Sequence, residues 1–257
     1  MSLGMPNRVT LISSPRLRSS TAKLAGLLLN LKHEALFLDF SREIEEYIRM
    51  LAEGLPYSYV LAELKRSRLL PQETSETWEY HAEPLLRQLG SLKRRNPRLE
   101  VRCYGSSSYE YFSSQLAVKI ALLTMRAMAS SRVDVAEWRR LLEEEAEAGR
   151  EALEEEAELL ASWAERYKTK TCVSLVPKSA LAGKLRERGL KVEVLEVEPD
   201  YKPTPLETLK VKVAEGKAGD LEIERLVKAH VNYVRKFVLT SRNLDEAYRR
   251  WASSGEG

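Results

Sequence analysis

The sequence predicts an α/β protein with a mostly parallel sheet, built from two βαβ units, with long inserted helices and a helical C-terminal appendage. Short apolar runs typical of buried strands alternate with stretches in which apolar residues recur at helical spacing. Near the start of the chain, and again around residue 185, a strand, a helix and a strand follow one another closely, as in a parallel βαβ unit.

The first βαβ unit begins with the apolar run Val9 to Ile12, which a Ser-Ser-Pro turn ends. Ser20 or Thr21 can cap the following helix, whose leucines recur at helical spacing. Ala35 to Leu38 forms the second strand, and Asp39 ends it. These residues predict two parallel strands joined by a helix.

Helices dominate the middle of the sequence. Pro56 and Pro71 separate three of them, predicted over residues 42–52, 57–68 and 75–95. A third strand follows at Leu99 to Tyr104. A helix from about Tyr109 has apolar residues around much of its circumference, so we expect it to be buried. Asp134 caps a long helix to about Tyr167, whose acidic middle predicts a solvated helix or an acidic partner surface.

The second βαβ unit comprises a strand at residues 171–176, a helix at 180–188 and a strand at 191–197. From Pro199 to Pro205, three prolines indicate an extended connector, and amphipathic helices are predicted from Leu221 to about Phe237 and from Leu244 to Trp251. We therefore expect a core domain at residues 6–198 and an appendage at 199–254. The apolar face of these last helices is expected to dock on the core domain, and homodimer formation is the alternative.

The composition argues against two classes of partner. Lys and Arg number 41 against 38 Asp and Glu, so no polyanionic partner is required and nucleic acid is not expected. No segment has the roughly 20 apolar residues of a membrane helix, and the N-terminus lacks the order of basic, apolar and small residues of a signal peptide, which predicts a cytoplasmic protein.

Abundant Glu, Lys and Arg with scarce Asn and Gln is typical of thermophiles.

Two cysteines, Cys103 and Cys172, each lie in a strand-like run. They are expected to be buried small hydrophobic residues, with a single disulfide as the alternative.

Ligands of parallel α/β sheets tend to bind at the carboxyl ends of the strands, where helix N-termini offer unpaired N–H groups. We therefore expect a site for a small anionic ligand or a protein partner there. Asp39 and Arg42 are candidates for an ion pair or for a ligand anchor. The full set of candidate residues is Ser13, Ser14, Arg16, Asp39, Arg42, Tyr104, Ser106, Lys178 and Ser179.

Other kinds of site find little support. His33, His81 and His230 are far apart in sequence and no Cys/His spacing resembles a zinc site, so no metal and no cofactor are expected. No Gly-x-Ser-x-Gly motif occurs. The loop from Gly105 to Ser108 could hold an anion but lacks a phosphate-loop lysine. The basic stretch from Lys93 to Arg98 suits a helix C-terminus better than nucleic acid.

Two stretches resemble the TraB/PrgY-like family, whose fold is similar to that of ChaN and the erythromycin esterases. There a strand leads into Gly-x-x-His, a later strand ends in Glu, and a late Gly-x-x-His-x-x-Gly precedes a helix and a strand. The corresponding residues here are Ser13-Ser14-Pro15-Arg16, then Asp39, then Pro177-Lys178-Ser179-Ala180-Leu181-Ala182-Gly183.

The resemblance implies this fold and, for the family, metal-dependent hydrolysis. Arg16 and Ala180 stand where the family has histidine, and neither side chain can ligate a metal. An arginine suits carboxylate or phosphate instead. We therefore expect binding without catalysis. A metal-dependent or acid/base hydrolase using Asp39, and a scaffold acting through the acidic helix and the C-terminal helices, are the alternatives.

Overall fold

The computed structural model describes residues 8–175 and 178–255, without the side chains of residues 178 and 179. It is a mixed α/β structure with one parallel sheet, as the sequence predicts. The strands are β1 (Arg8–Ser13), β2 (Ala35–Ser41), β3 (Glu100–Gly105), β4 (Lys170–Ser174) and β5 (Lys191–Glu196). The helices are α1 (Arg18–Leu28), α2 (Glu45–Ala52), α3 (Tyr57–Ser67), α4 (Ser75–Arg95), α5 (Ser107–Ser130), α6 (Val135–Ala164), α7 (Lys178–Glu187), α8 (Pro205–Ala214), α9 (Asp220–Tyr233) and α10 (Leu244–Ala252). A 3₁₀ turn (Arg42–Ile44) precedes α2, and a π-helical segment (Val234–Val238) follows α9.

The strand order is β3-β2-β4-β1-β5, and every neighbouring pair is parallel. Strand β4 lies between β1 and β2, and β1 lies between β4 and β5, so the two βαβ units interleave. Ser13 is in register with Ser174 of β4 and with Glu196 of β5. Ser41 is in register with Gly105 of β3. The C-terminal ends of all five strands therefore share one edge, which we call the carboxyl edge.

Alternate residues of the strands face opposite helical layers. Leu36 and Leu38 belong to a buried cluster with residues of α1 to α4. Ala35 and Phe37 belong to a second cluster, with residues of α6 and α7. Because both faces of the sheet are covered, the strands are almost continuously apolar, as is usual in parallel sheets.

The chain divides into two compact units, residues 1–111 with 151–199, and residues 112–150 with 200–257. We call them unit 1 and unit 2. The sheet lies in unit 1. The domain limits expected from the sequence stay a prediction. No helix within the described residues is long and apolar enough to cross a membrane.

Unit 2 has its own core. Trp138 and Leu141 of α6 are buried with Leu209 of α8 and with Ile223 and Val227 of α9. A smaller aromatic cluster holds α10 to the π-helical segment, with Trp251 and Phe237 both buried. These contacts give the C-terminal helices an apolar interior within unit 2 itself.

Two elements differ from the sequence-based expectation. The expected connector ends in a helix, α8, because Pro205 occupies its first turn and Thr204 and Glu207 form a capping box. Helix α5 is not buried all round. Its Val118, Leu122 and Met125 are 40%, 50% and 64% exposed, because the neighbours packed on α5 cover only the opposite side.

Cys103 and Cys172 are both buried and both free. This confirms the prediction of two buried small hydrophobic residues, and the alternative of a disulfide between them is wrong.

Candidate functional site

The carboxyl edge brings several of the predicted site residues together. Ser13 ends β1, and the backbone N–H of Ser14 donates to the carbonyl oxygen of Ser174 at 3.0 Å. Asp39 lies near the end of β2 and Ser106 directly after β3. Pro177 lies outside the described residues, as do the side chains of Lys178 and Ser179, although Lys178 begins α7.

Asp39 is partly buried, and its Oδ2 accepts a hydrogen bond from the backbone N–H of Leu175 at 2.9 Å. Burial raises the pKa of the Asp39 carboxyl, whereas the nearby charge of Arg16 and the Leu175 N–H lower it, and burial prevails. The structure does not contain the ion pair of Asp39 with Arg42 that the spacing suggested. Arg42 pairs instead with Glu155, an exposed carboxylate of α6.

Two further carboxyl groups lie at the same edge. Burial raises the pKa of Glu110, the charge of Arg16 lowers it, the charge of Asp39 raises it and the backbone N–H of Ser41 lowers it. Glu156 Oε1 accepts from the backbone N–H of Ser106 at 3.0 Å. Burial, reinforced by the charge of Asp39, raises the pKa of Glu156 to about 8.

Two of these carboxyl groups share one structural role. Asp39 accepts a backbone N–H at the end of β4, and Glu156 accepts one at the end of β3. Such N–H groups lose their ladder partner where a parallel strand ends, and a carboxyl oxygen satisfies them. The result is a group of mutually repelling acids with raised pKa values, of the kind that functional sites also contain.

The charge of Arg16 lowers the pKa of both Asp39 and Glu110, whereas the charge of Arg42 lowers that of Glu156. The side chain of Arg16 is exposed. No carboxylate of the described residues lies within ion-pair distance of it. The Arg16 guanidinium therefore keeps its hydrogen-bond donors available.

Serine hydroxyls link the ends of β2 and β3. Ser41 Oγ and Ser107 Oγ are 2.7 Å apart, and Ser106 Oγ and Ser108 Oγ are 3.0 Å apart. Gly105 permits this approach, because a Cβ there would lie 2.8 Å from the carbonyl oxygen of Phe40. The glycine is thus explained by close packing of two strands, not by an anion-binding loop.

Tyr104 lies apart from any open surface. It is 1% exposed, and its hydroxyl donates to the carbonyl oxygen of Val173 at 2.8 Å. Its contact with a ligand stays a prediction, and the contact that the structure contains is with the sheet.

A cleft of about 550 Å³ opens at the ends of β2 and β3. Ser41, Ser107 and Ser108 line it, and Glu110 lines it from the first turns of α5. Arg68 lines it from the residue after α3. The remaining lining residues are Glu43, Leu69, Leu70, Pro71, Gln72, Glu73 and Tyr111.

Arg68 has a left-handed backbone conformation, with φ of 58°. This conformation costs a residue other than glycine roughly 1–2 kcal/mol. Its side chain is exposed, and no carboxylate of the described residues pairs with it. Arg68 is therefore a strained, unneutralised cation facing the cleft.

Sequence reasoning missed Arg68, Glu110 and Glu156. Glu156 belongs to an acidic run whose composition predicts a solvated helix, yet it stands one helical turn from the apolar Leu153 and Leu160 of α6. An isolated acid on an apolar helix face was the available signal. Arg68 carried no comparable signal, because its backbone conformation is visible only in the structure.

The histidines serve local packing. Burial lowers the pKa of His81 to about 4, and its Nδ1 lies 2.7 Å from the Thr77 carbonyl oxygen. Among the described residues, no group of three or more His, Cys, Asp or Glu side chains is arranged to hold a metal ion.

Comparison with models of known families found no match, and neither curated proteins nor solved structures gave a significant match. The resemblance to the TraB/PrgY-like family therefore stays a prediction.

Proposed function

We propose that this protein acts by binding a small polar ligand in the cleft at the carboxyl edge of the sheet. The ligand carries an anionic group, bound by Arg68, and hydroxyl groups, bound by carboxyl and serine oxygens. The observation that carries this proposal is that the unneutralised Arg68 lines the same cleft as the serines of β2 and α5.

The anionic group of the ligand is assigned to the Arg68 side. A guanidinium presents several N–H donors in a fixed fork, which suits phosphate or carboxylate. Ser107 and Ser108, in the first turn of α5, add hydroxyl donors at a helix end whose dipole favours negative charge. The left-handed conformation of Arg68 ends α3 as its C-cap, a position that glycine usually takes.

The hydroxyl groups of the ligand are assigned to the acidic side. Glu43, Glu73 and Glu110 line the cleft, and carboxylate oxygens accept hydrogen bonds from hydroxyl groups. Three acids against one arginine disfavour a purely anionic ligand. The small anionic ligand expected from the sequence is thereby refined to a ligand that also donates hydrogen bonds.

Binding without catalysis is the favoured form of the proposal. The cleft serines contact other hydroxyl groups, and His81 is engaged by a backbone carbonyl, so neither forms a nucleophile and base pair. We also propose that the protein is a divergent TraB/ChaN-like protein in which the family's histidines are replaced. Its proposed location is the cytoplasm.

The test compares three probes by calorimetry: ribose 5-phosphate, ribose and inorganic phosphate. We expect ribose 5-phosphate to bind more tightly than either fragment. Arg68→Gly should weaken binding of ribose 5-phosphate by about tenfold, the value of one charged hydrogen bond. Because glycine relieves the left-handed strain, the variant should be at least as stable as the parent protein, so lost binding cannot be ascribed to unfolding.

Arg66→Gln is the matched control. Arg66 lies two residues earlier, pairs with Glu63 on the surface and does not line the cleft. It should bind like the parent protein. Absence of binding by all three probes, or equal binding by Arg68→Gly and the parent, would overturn the proposal.

A second candidate is an acid/base enzyme, favoured by the carboxyl group of Glu156. With a pKa of about 8, this group is mostly protonated at neutral pH, as a general acid must be. A screen of phosphoester and glycoside substrates tests it. Activity that falls as the pH rises through about 8, and that Glu156→Gln removes, would favour the enzyme over the binding protein.

A further inference from the structure

We propose that unit 2 contains a separate binding site for phosphate groups, formed by Arg242, Arg249 and Arg250. These residues line a cleft of about 710 Å³ around α10, together with Asn243, Glu246 and Ser253. This site does not depend on the proposed function of the carboxyl edge in unit 1.

The charge of these three arginines has no counter-ion among the described residues. None of the three arginines pairs with a carboxylate of the described residues within 4 Å. Other arginines of unit 2, namely Arg139 and Arg225, do pair with carboxylates. Three guanidinium groups lining one cleft without counter-ions repel each other, and an anionic ligand would relieve that repulsion.

Several contacts hold the guanidinium group of Arg250 in position. Its Nη1 lies 2.9 Å from the carbonyl oxygen of Thr240, 3.1 Å from Thr240 Oγ1 and 2.8 Å from Ser241 Oγ. Its guanidinium carbon stands 6.0 Å from the ring centre of Phe237. These contacts hold the group in place and leave its remaining N–H donors for a ligand. A positioned fork loses less entropy on binding.

Glu246 is the acid that lines this cleft. Its Oε2 accepts from the backbone N–H of Arg242 at 2.9 Å, and its own N–H donates to Asn243 Oδ1 at 2.9 Å. The carboxylate is thus engaged in capping α10. It does not form an ion pair with the arginines around it, so their charge dominates the cleft.

The chemistry favours phosphate groups, which accept several guanidinium donors at once. The aromatic rings nearby are not free to stack on bases. Phe237 and Trp251 are buried, and Tyr233 and Tyr248 pack against Trp251. We therefore infer recognition of phosphate without recognition of bases. A free compound and a nucleic acid backbone both present such phosphate groups, and the experiment distinguishes these sources.

The experiment measures pyrophosphate binding by calorimetry and binding of a fluorescent oligodeoxythymidine by anisotropy. We expect pyrophosphate to bind the full-length protein. Arg242→Gln combined with Arg249→Gln should weaken this binding by at least about tenfold. Among the described residues, Arg249 donates a hydrogen bond to the Asp245 carbonyl oxygen of its own helix. Because this contact is local, the double variant should fold, and its melting temperature checks this.

Arg235→Gln is the matched control. Arg235 is an exposed arginine of the π-helical segment that contacts Asn232 and does not line the cleft. It should change binding by less than about twofold, because it makes no ligand contact. An equal loss of pyrophosphate affinity in this control would show a general effect of surface charge and would overturn the proposed site.

The two probes separate the sources. Pyrophosphate binding alone indicates a free phosphate compound. Binding of both probes, with competition between them and a salt dependence that decreases in the double variant, indicates a nucleic acid backbone. Absence of binding by both probes overturns the proposal. In an Arg68→Gly background the double variant should weaken pyrophosphate binding by the same factor as in the parent protein, so failure here and failure at the carboxyl edge are distinguishable.

Discussion

The backbone N–H of Leu175 donates to Oδ2 of Asp39 at 2.9 Å. A side chain near the end of β2 thus supplies the hydrogen-bond acceptor for the first N–H after β4. Glu156 repeats this relationship at the end of β3, where it accepts from the backbone N–H of Ser106. These acids, whose raised pKa values are also typical of catalytic groups, therefore support the strand ends. This structural role determines how variants at the carboxyl edge should behave.

Asp39→Asn should be tolerated, whereas Asp39→Val should not. Burial disfavours the charged form of Asp39, and asparagine retains a neutral oxygen that can accept from Leu175. Valine leaves this N–H unpaired, which costs about 1–3 kcal/mol. Urea denaturation measures both free energies of unfolding. Equal losses in the two variants would show that the hydrogen bond does not matter.

Stability should fall as the pH rises from neutrality to about 8. The pKa of Glu156 is raised from 4.5 to about 8, so the folded protein holds a proton that the unfolded chain releases. Its stabilising contribution is complete below pH 4.5 and is lost as the pH rises through about 8. The raised pKa values of Asp39 and Glu110 act in the same direction.

Glu156→Gln isolates this contribution. Glutamine stays neutral and retains an acceptor for Ser106, so the variant should lose less stability than the parent between neutral pH and about 8. Denaturation at several pH values within this window measures the two slopes. Parallel slopes for the variant and the parent would contradict the assignment to Glu156.

His230→Phe should protect the protein against acid. His230 is buried in unit 2, its Nδ1 has no hydrogen-bond partner among the described residues, and burial lowers its pKa to about 4. The unfolded chain therefore binds a proton between pH 6.5 and about 4 that the folded protein does not, and stability falls with the pH. Phenylalanine removes this titration and retains a ring against Trp138, whose centre lies 6.1 Å away.

The measurement compares melting temperatures at about pH 4.5 and at about pH 7, on either side of the ordinary histidine pKa. The advantage of His230→Phe should be larger at the lower pH. A variant that is destabilised equally at both values would indicate that the imidazole is needed for packing.

Gly105→Ala should destabilise unit 1 by about 1–3 kcal/mol, the usual cost of overpacking. Its Cβ would lie 2.8 Å from the Phe40 carbonyl oxygen, and both strands would have to move. Gly26→Ala is the control. Gly26 is a helical residue of α1, and nothing lies within 4 Å of the position that a Cβ would take there. Alanine should therefore stabilise this helix by about 1 kcal/mol. Similar effects of both variants would contradict the strand contact.

Much of the secondary structure was predictable from local patterns. The run Val9 to Ile12 lies within β1, and Ala35 to Leu38 lies within β2. Helix α8 was predictable in principle, because a threonine, a proline and a glutamate at capping positions precede an apolar stretch. The interpretation of its prolines as a connector gave too little weight to proline in a first helical turn.

The sequence predicted that the candidate site lies at the carboxyl edge, but not which residues and contacts form it. Parallel strands bring Ser13, Asp39 and Ser106 to one edge, as topology requires. Arg42 pairs with Glu155 and not with Asp39. Sequence spacing does not determine which of these two acids pairs with the arginine.

By itself, the sequence determined where strands and helices form, because hydrophobic periodicity and capping act between near neighbours in the chain. Only the tertiary structure decided the strand order, in which β4 separates β1 from β2. It also decided which two glutamates among many, Glu110 and Glu156, have their pKa values raised by the charge of Asp39. Both depend on contacts between residues far apart in sequence, and burial at those contacts, not residue type, sets the pKa values of these acids.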